Sequence, residues 1–103
     1  MSQEKLSLKG LNFQATKIEE NKNILTITLN RPEKKNALNN VMVNEICYAL
    51  AYAKQERSVR VIIIAAEGDI FCAGADLRRE ESESNVPKIE GADDISLMLR
   101  HLY

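Results

Sequence analysis

An unbroken apolar run, Val61–Ala66, constrains the fold of this chain more than any other segment. Its residues are β-branched or small, and such a run predicts a strand that is buried on both faces. The turn that follows contains the small residues Ala73, Gly74 and Ala75, which allow another molecule to approach the backbone closely. Because ligands bind beyond the carboxyl ends of strands in an open α/β sheet, this turn predicts a site of main-chain N–H groups for an anion or a polarised carbonyl oxygen.

The segments before this run predict an opening β-hairpin and an amphipathic helix. Residues 11–19 and 24–29 carry apolar side chains at near-alternating positions, and residues 20–23 supply a polar turn between them. Asn39 or Asn40 can cap the helix that comes next. Its apolar face is predicted to hold Val43, Ile46, Cys47, Leu50 and Ala53, and its polar face Asn44, Glu45, Lys54 and Gln55. Hairpin, helix and buried strand together form an α/β pattern.

Composition excludes several classes of protein. The chain has 103 residues, 28% of them charged, and a formal net charge of -1, so no nucleic-acid partner is expected. No apolar run approaches the roughly 20 residues of a membrane span, and residues 1–10 are polar, predicted to be flexible, and without a targeting signal. Cys47 and Cys72 lack metal-ligand spacing, and Cys72 is predicted to be a small buried side chain. We therefore expect no metal site, no membrane partner and a cytoplasmic location.

The last third of the chain changes character. Residues 78–85 are highly charged and predict a solvated loop, the frayed end of a short helix, or a mobile lid over the turn. A final amphipathic helix is predicted from about residue 92. Glu80 and Glu81 lie in the charged run and are expected to be exposed, and no catalytic role is expected for His101. A strand buried on both faces needs cover on both sides, and one helix is too little. The sheet is therefore predicted to be cut before it is complete, as in the front part of a larger protein.

Two motifs in this order closely resemble signatures of the enoyl-CoA hydratase/isomerase family, whose members are also called crotonases. They are LNRPEKKNALN at residues 29–39 and IFCAGADL at residues 70–77. The resemblance covers roughly residues 13–77 and implies that residues 11–103 are the N-terminal part of a crotonase-like acyl-CoA-binding domain, a truncated ββα unit. It implies that the N–H of Ala75 is the catalytic group that donates to a thioester oxygen. The binding residues that it implies are Lys35, Ala37, Leu38, Ala73, Gly74, Ala75, Asp76 and Leu77, with Lys35 as the phosphate contact.

The function that this resemblance implies is the hydration of a 2-enoyl-CoA through an enolate held in an oxyanion hole. CoA would enter as part of the substrate, without a further cofactor, and the full-length protein would form trimers or hexamers. In the family's order the second oxyanion donor and the acid/base glutamates lie beyond Tyr103, so the chain alone is expected to be inactive.

Several alternatives remain open. The residues present do not exclude an isomerase, a thioester hydrolase or a dehalogenase, or a non-catalytic fragment that binds CoA or forms oligomers. An unrelated nucleotide-binding domain is disfavoured because the chain has four glycines and no glycine-rich phosphate loop.

Overall fold

The computed structural model describes residues 5–75 and 85–89. Its elements follow the predicted order: β1 (Thr16–Asn21), β2 (Ile24–Leu29), a short 3₁₀ turn (Pro32–Lys34), α1 (Asn40–Gln55) and β3 (Val61–Ala66). The charged run 78–85, except its last residue, and the helix predicted from residue 92 lie outside the described residues. So do Asp76, Leu77, Glu80, Glu81 and His101.

The three strands form one sheet in the order β1-β2-β3. β1 and β2 are antiparallel and joined by a two-residue turn, Lys22 and Asn23, both with positive φ. A two-residue turn of this hand matches the twist of the strands it joins, which is why Glu20 and Asn21, predicted as part of the turn, instead pair within β1. β2 and β3 are parallel, and α1 provides the long connection that a parallel pair requires.

The helix begins where its cap was predicted. Asn39 has extended backbone angles, and its side chain accepts a hydrogen bond from the N–H of Met42, so it is the N-cap. The predicted polar face is partly wrong, because Asn44 and Glu45 are buried. Glu45 accepts hydrogen bonds from the N–H groups of Gln14 and Ala15 at 2.7 and 2.9 Å. These bonds to the helix also explain why β1 begins at residue 16 and not at about 11.

One face of the sheet packs on α1 and forms the core. Alternate residues of β2, namely Leu25, Ile27 and Leu29, are buried there, as the near-alternating pattern predicted. From the helix, the largest buried apolar side chains facing them include Met42 and Leu50. Burying a side chain of this size stabilises the fold by about 1.5–3 kcal/mol. The core of the described residues therefore lies between β2 and α1.

Residues 5–10, predicted to be flexible, lie against the helix from residue 5 onward. The hydroxyl of Tyr48 donates to the carbonyl oxygen of Ser7 at 2.8 Å, and the N–H of Leu6 donates to the side chain of Gln55. Leu6 and Leu8 pack against the core.

The prediction that β3 is buried on both faces is wrong for the described residues. Val61, Ile62 and Ile63 are 50, 40 and 45% exposed, and β3 lies at the edge of the sheet. The register places Val61 and Ile63 beside Ile24 and Thr26, on the face opposite α1. A parallel strand becomes buried only when a layer covers each face. Within the described residues α1 packs mainly on β1 and β2, so even Ile62, on the α1 side of the sheet, stays 40% exposed.

Among residues 5–75 and 85–89, neither α1 nor any other helix is long and apolar enough to cross a membrane.

Candidate functional site

The connector from Arg31 to Leu38 has a defined and unusual backbone. Its 3₁₀ turn ends at Lys34, and the two residues that follow, Lys35 and Asn36, have positive φ, of 53° and 55°. The buried Arg31 reaches along the segment, and its Nη1 donates to the carbonyl oxygen of Ala37 at 2.6 Å. The connector is therefore a folded loop held by its own side chains.

The turn after β3 requires a glycine at one position. Gly74 has a φ of +112°, which residues with a side chain rarely adopt. A Cβ atom built on Gly74 would meet no atom of the described residues within 4 Å, so these residues impose a requirement of conformation and not of space. None of the described residues obstructs the approach of another molecule to this backbone.

The structure brings the connector and the turn together through their main chains. The N–H of Ala73 donates to the carbonyl oxygen of Lys35 at 3.0 Å, and the N–H of Leu38 donates to that of Gly74 at 2.8 Å. Leu38 and Ala75 thereby form an isolated parallel bridge. The two motifs found in the sequence are thus one structural unit.

Ala75, the predicted catalytic residue, lies at the exposed end of this unit. The bridge is made through the carbonyl of Gly74, and it leaves the N–H of Ala75 out of the ladder. Within residues 5–75 and 85–89, that N–H has no acceptor. None of these described residues therefore competes with a ligand oxygen for this N–H.

The other predicted site residues differ in how far they are exposed to solvent. Lys35 and Ala73 are exposed, Ala37 and Leu38 are half-buried, and Leu38 also packs against the core. Cys72, predicted to be buried, is half-buried at the margin of the core. It remains partly exposed because the turn that carries it lies beyond the edge strand.

In the part of the chain that the structure describes, no cluster of three or more His, Cys, Asp or Glu side chains could hold a metal ion.

Sequence reasoning missed Asn36, which joins the connector to the loop after β3. Its side chain is fully buried, accepts from the N–H of Arg31 at 2.8 Å, and donates to the carbonyl oxygens of Glu67 and Ile70 at 2.7 and 2.8 Å. The available signal was an asparagine in a tight polar connector, since asparagine tolerates positive φ. Its partners in the distant loop gave no signal in the sequence.

Known proteins resemble this chain in both sequence and structure. The model of the family described as enoyl-CoA hydratase/isomerase matches residues 19–100. Enoyl-CoA hydratase domain-containing protein 2, mitochondrial, from Mus musculus is 45% identical over 67 residues, which are 64% of this chain and 23% of that protein. The 1,2-epoxyphenylacetyl-CoA isomerase of Escherichia coli (strain K12) is 30% identical over 82 residues, 80% of this chain and 30% of that enzyme.

A solved structure supports the same assignment. An enoyl-CoA hydratase/isomerase from Pseudoalteromonas atlantica T6c superposes with a TM-score of 0.69 at 29% identity, over 86% of this chain and 34% of that one. The predicted α/β fold, a hairpin followed by a helix and a parallel strand, is thereby confirmed. The chain spans only about a quarter of the length of the first curated relatives it matches, from 22 to 30%.

Proposed function

Because the chain belongs to the enoyl-CoA hydratase/isomerase family, we propose that it binds an acyl-CoA and that the N–H of Ala75 donates a hydrogen bond to the thioester oxygen. One observation carries this proposal. Two segments far apart in sequence are joined at Lys35–Ala73 and Leu38–Gly74, and the exposed N–H of Ala75 follows directly with no acceptor among the described residues. A main-chain donor held in this way suits an oxygen on which negative charge develops.

The reaction that we propose for the whole protein is hydration of a 2-enoyl-CoA. The oxygen of water bonds to C3 while one of its O–H bonds breaks and that proton passes to a general base of the whole protein. The π electrons of the C2–C3 bond move toward the thioester oxygen to give an enolate. The enolate collapses when C2 takes up a proton, so that one water has been added. A fixed N–H at residue 75 stabilises the charged oxygen, and one such donor contributes about 2.7–4 kcal/mol. This chemistry transfers water and a proton and needs no redox group.

For the 103-residue chain alone we propose binding without turnover. The described residues offer one oxyanion donor, and none of their carboxylates hydrogen-bonds to the turn that carries it. An acid or base at the reacting carbon usually contributes a factor of about 10²–10⁴. Relatives include proteins named as hydratases and as an isomerase. Family membership therefore supports an acyl-CoA as the class of substrate more strongly than it supports any single reaction on that substrate.

The experiment that tests the proposal is a ¹⁵N NMR titration of the chain with crotonyl-CoA and, separately, with free CoA. We expect both ligands to perturb the connector near Lys35, whereas only the thioester shifts the Ala75 N–H downfield. Loss of the enoyl absorbance is followed in the same samples and should not occur. If the chemical shift of the Ala75 N–H does not change at saturating crotonyl-CoA, the assignment of this donor is refuted.

A second candidate function is association of this chain with a further copy of itself. The exposed apolar residues Val61 and Ile63 on an edge strand favour it, because an unpaired apolar edge can pair with another strand. Sedimentation velocity over a range of concentrations tests this candidate. A sample that stays monomeric at the highest concentration contradicts it.

A further inference from the structure

Asn36 differs from the rest of its loop in being completely buried. Residues 32–35 are exposed, whereas the side chain of Asn36 has no solvent-accessible surface. A buried side-chain amide destabilises a fold unless its hydrogen-bonding groups are satisfied. Here both N–H groups of the amide and its oxygen have partners. Because its side chain is buried and all of its hydrogen-bonding groups have partners, Asn36 has a structural role at this position.

The partners of Asn36 lie on both sides of the site. Its oxygen holds the N–H of Arg31 at the start of the connector. Its two N–H groups hold the carbonyl oxygens of Glu67 and Ile70, which lie between the end of β3 and the turn. One side chain therefore fixes the loop just upstream of Ala75 against the connector.

The backbone around Asn36 adds two more attachments to the same turn. Lys35, directly before it, accepts from Ala73, and Leu38, two residues after it, donates to Gly74. The segment from Glu67 to Gly74 is thus tied to the connector at four points. A Cβ atom added to Gly68 would lie only 3.0 Å from that of Pro32, so the two segments are also in close contact. The direction of the N–H that follows Gly74 depends on these attachments.

Few residue types can replace asparagine here. The φ of 55° favours glycine or asparagine, and glycine offers no side-chain bond. Aspartate has the same size but only acceptors, which would face two carbonyl oxygens. The short side-chain amide therefore combines the required backbone angle with two donors and one acceptor.

We infer that Asn36 is the positioning residue for the Ala75 N–H, acting through the carbonyls of Glu67 and Ile70. That the Ala75 N–H points toward a thioester oxygen rests on the proposed function. That Asn36 keeps the turn rigid does not. Asn36 itself touches no substrate. Its effect is to hold the donor in one orientation before the ligand arrives, which reduces the ordering required on binding.

The test compares two substitutions of Asn36 with a matched control on α1. Asn36→Asp keeps the size and the acceptor for Arg31 but removes both donors, and Asn36→Gly removes all three bonds without strain at positive φ. Asn44 is a second buried asparagine, whose side chain donates to the carbonyl oxygen of Pro87 and accepts from the N–H of Ile89, so its bonds do not involve the turn. Asn44→Asp is therefore the control.

The first readout needs no ligand. ¹⁵N relaxation of residues 73–75 should show a turn as rigid as α1 in the unsubstituted chain and in Asn44→Asp, and a mobile turn in both Asn36 variants. A turn that is already mobile in the unsubstituted chain overturns the inference without any variant. The same conclusion follows from a turn that stays rigid in a folded Asn36 variant.

The second readout is the downfield shift of the Ala75 N–H on adding crotonyl-CoA. We expect it to be lost, with roughly tenfold weaker thioester binding, in the Asn36 variants and retained in Asn44→Asp. Absence of the shift in the unsubstituted chain would contradict the proposed function and leave the relaxation result to decide the role of Asn36. A normal shift in a folded Asn36 variant would contradict the positioning role while the proposed function stands.

Discussion

The carboxylate of Glu45, fully buried on α1, lies 2.9 Å from the backbone nitrogen of Ala15 and accepts its hydrogen bond. The same carboxylate accepts from the N–H of Gln14 and the hydroxyl of Thr16. All three donors precede or begin β1, so this one side chain joins the start of the sheet to the helix. Acceptance of several bonds by a buried carboxylate makes a substitution there costly.

Replacing this acceptor should destabilise the fold. Glu45→Gln keeps the shape but turns an NH₂ group toward donors, leaving at least one N–H without an acceptor, at a cost of about 1–3 kcal/mol. Urea unfolding followed by circular dichroism measures the loss. Glu33→Gln, at an exposed position in the 3₁₀ turn, is the control and should change stability by less than about 0.5 kcal/mol. Equal effects of the two substitutions would show that the Glu45 bonds contribute little.

Substituting Gly74 should impair the site directly. Gly74→Ala forces a side chain onto a φ of +112°, which costs on the order of 1–3 kcal/mol and shifts the turn before Ala75. We expect the Ala75 resonance to lose its response to crotonyl-CoA. Gly10→Ala, at a positive φ in open space outside the site, should lower stability but keep the response. A normal response in Gly74→Ala would contradict the importance of this backbone conformation.

Lys35 is expected to contribute to binding of the CoA phosphates. Lys35→Ala should weaken CoA binding by about two- to fivefold, the effect of one exposed ion pair, and should make the affinity less sensitive to salt. Isothermal titration calorimetry at two salt concentrations measures both effects. Lys54→Ala removes an exposed lysine from the end of α1 and serves as the control. Identical behaviour of the two variants would remove Lys35 from the proposed site.

Tyr52 should make the stability depend on pH in the alkaline range. The hydrogen bond from its hydroxyl to Glu20, followed by burial and the charges of Glu20 and Glu56, raises the pKa of Tyr52 to about 12. Because the folded-state pKa lies above the ordinary value of 10, the stabilisation is fully present below pH 10 and is lost as the pH rises from about 10 to 12. Urea midpoints across this range should fall less steeply in Tyr52→Phe than in the unsubstituted chain. Parallel curves for the two proteins would show that Tyr52 is not responsible.

The two cysteines should differ in reactivity. Burial raises the pKa of the Cys47 thiol to about 11 and leaves it without solvent contact, whereas Cys72 is half-buried beside the turn. At pH 8 a thiol-specific reagent should therefore modify Cys72 faster than Cys47 by on the order of tenfold or more. Cys47→Ala and Cys72→Ala, each with one remaining thiol, assign the two rates. Saturating crotonyl-CoA should slow only the reaction of Cys72, because its turn is part of the proposed site.

Most of the fold followed from local patterns. The near-alternating apolar residues placed Leu25, Ile27 and Leu29 on one buried face, and Asn39 was identified as a possible helix cap. The bounds of β1 were wrong because residues 14 and 15 bond to a side chain on α1. The resemblance of two motifs identified the family, and the match over residues 19–100 confirms it. The roles of the individual site residues remain predictions.

Side-chain periodicity and caps act between residues a few positions apart, so the local pattern was enough to predict which segments become strand and helix. The burial of Glu45, the bonds of Asn36 and the exposure of β3 became visible only in the folded chain. Each depends on partners 30 or more residues away, or on whether a second layer covers the sheet. Local patterns carry no information about such distant groups. A polar residue is therefore predicted to be exposed unless its hydrogen-bond partner is known.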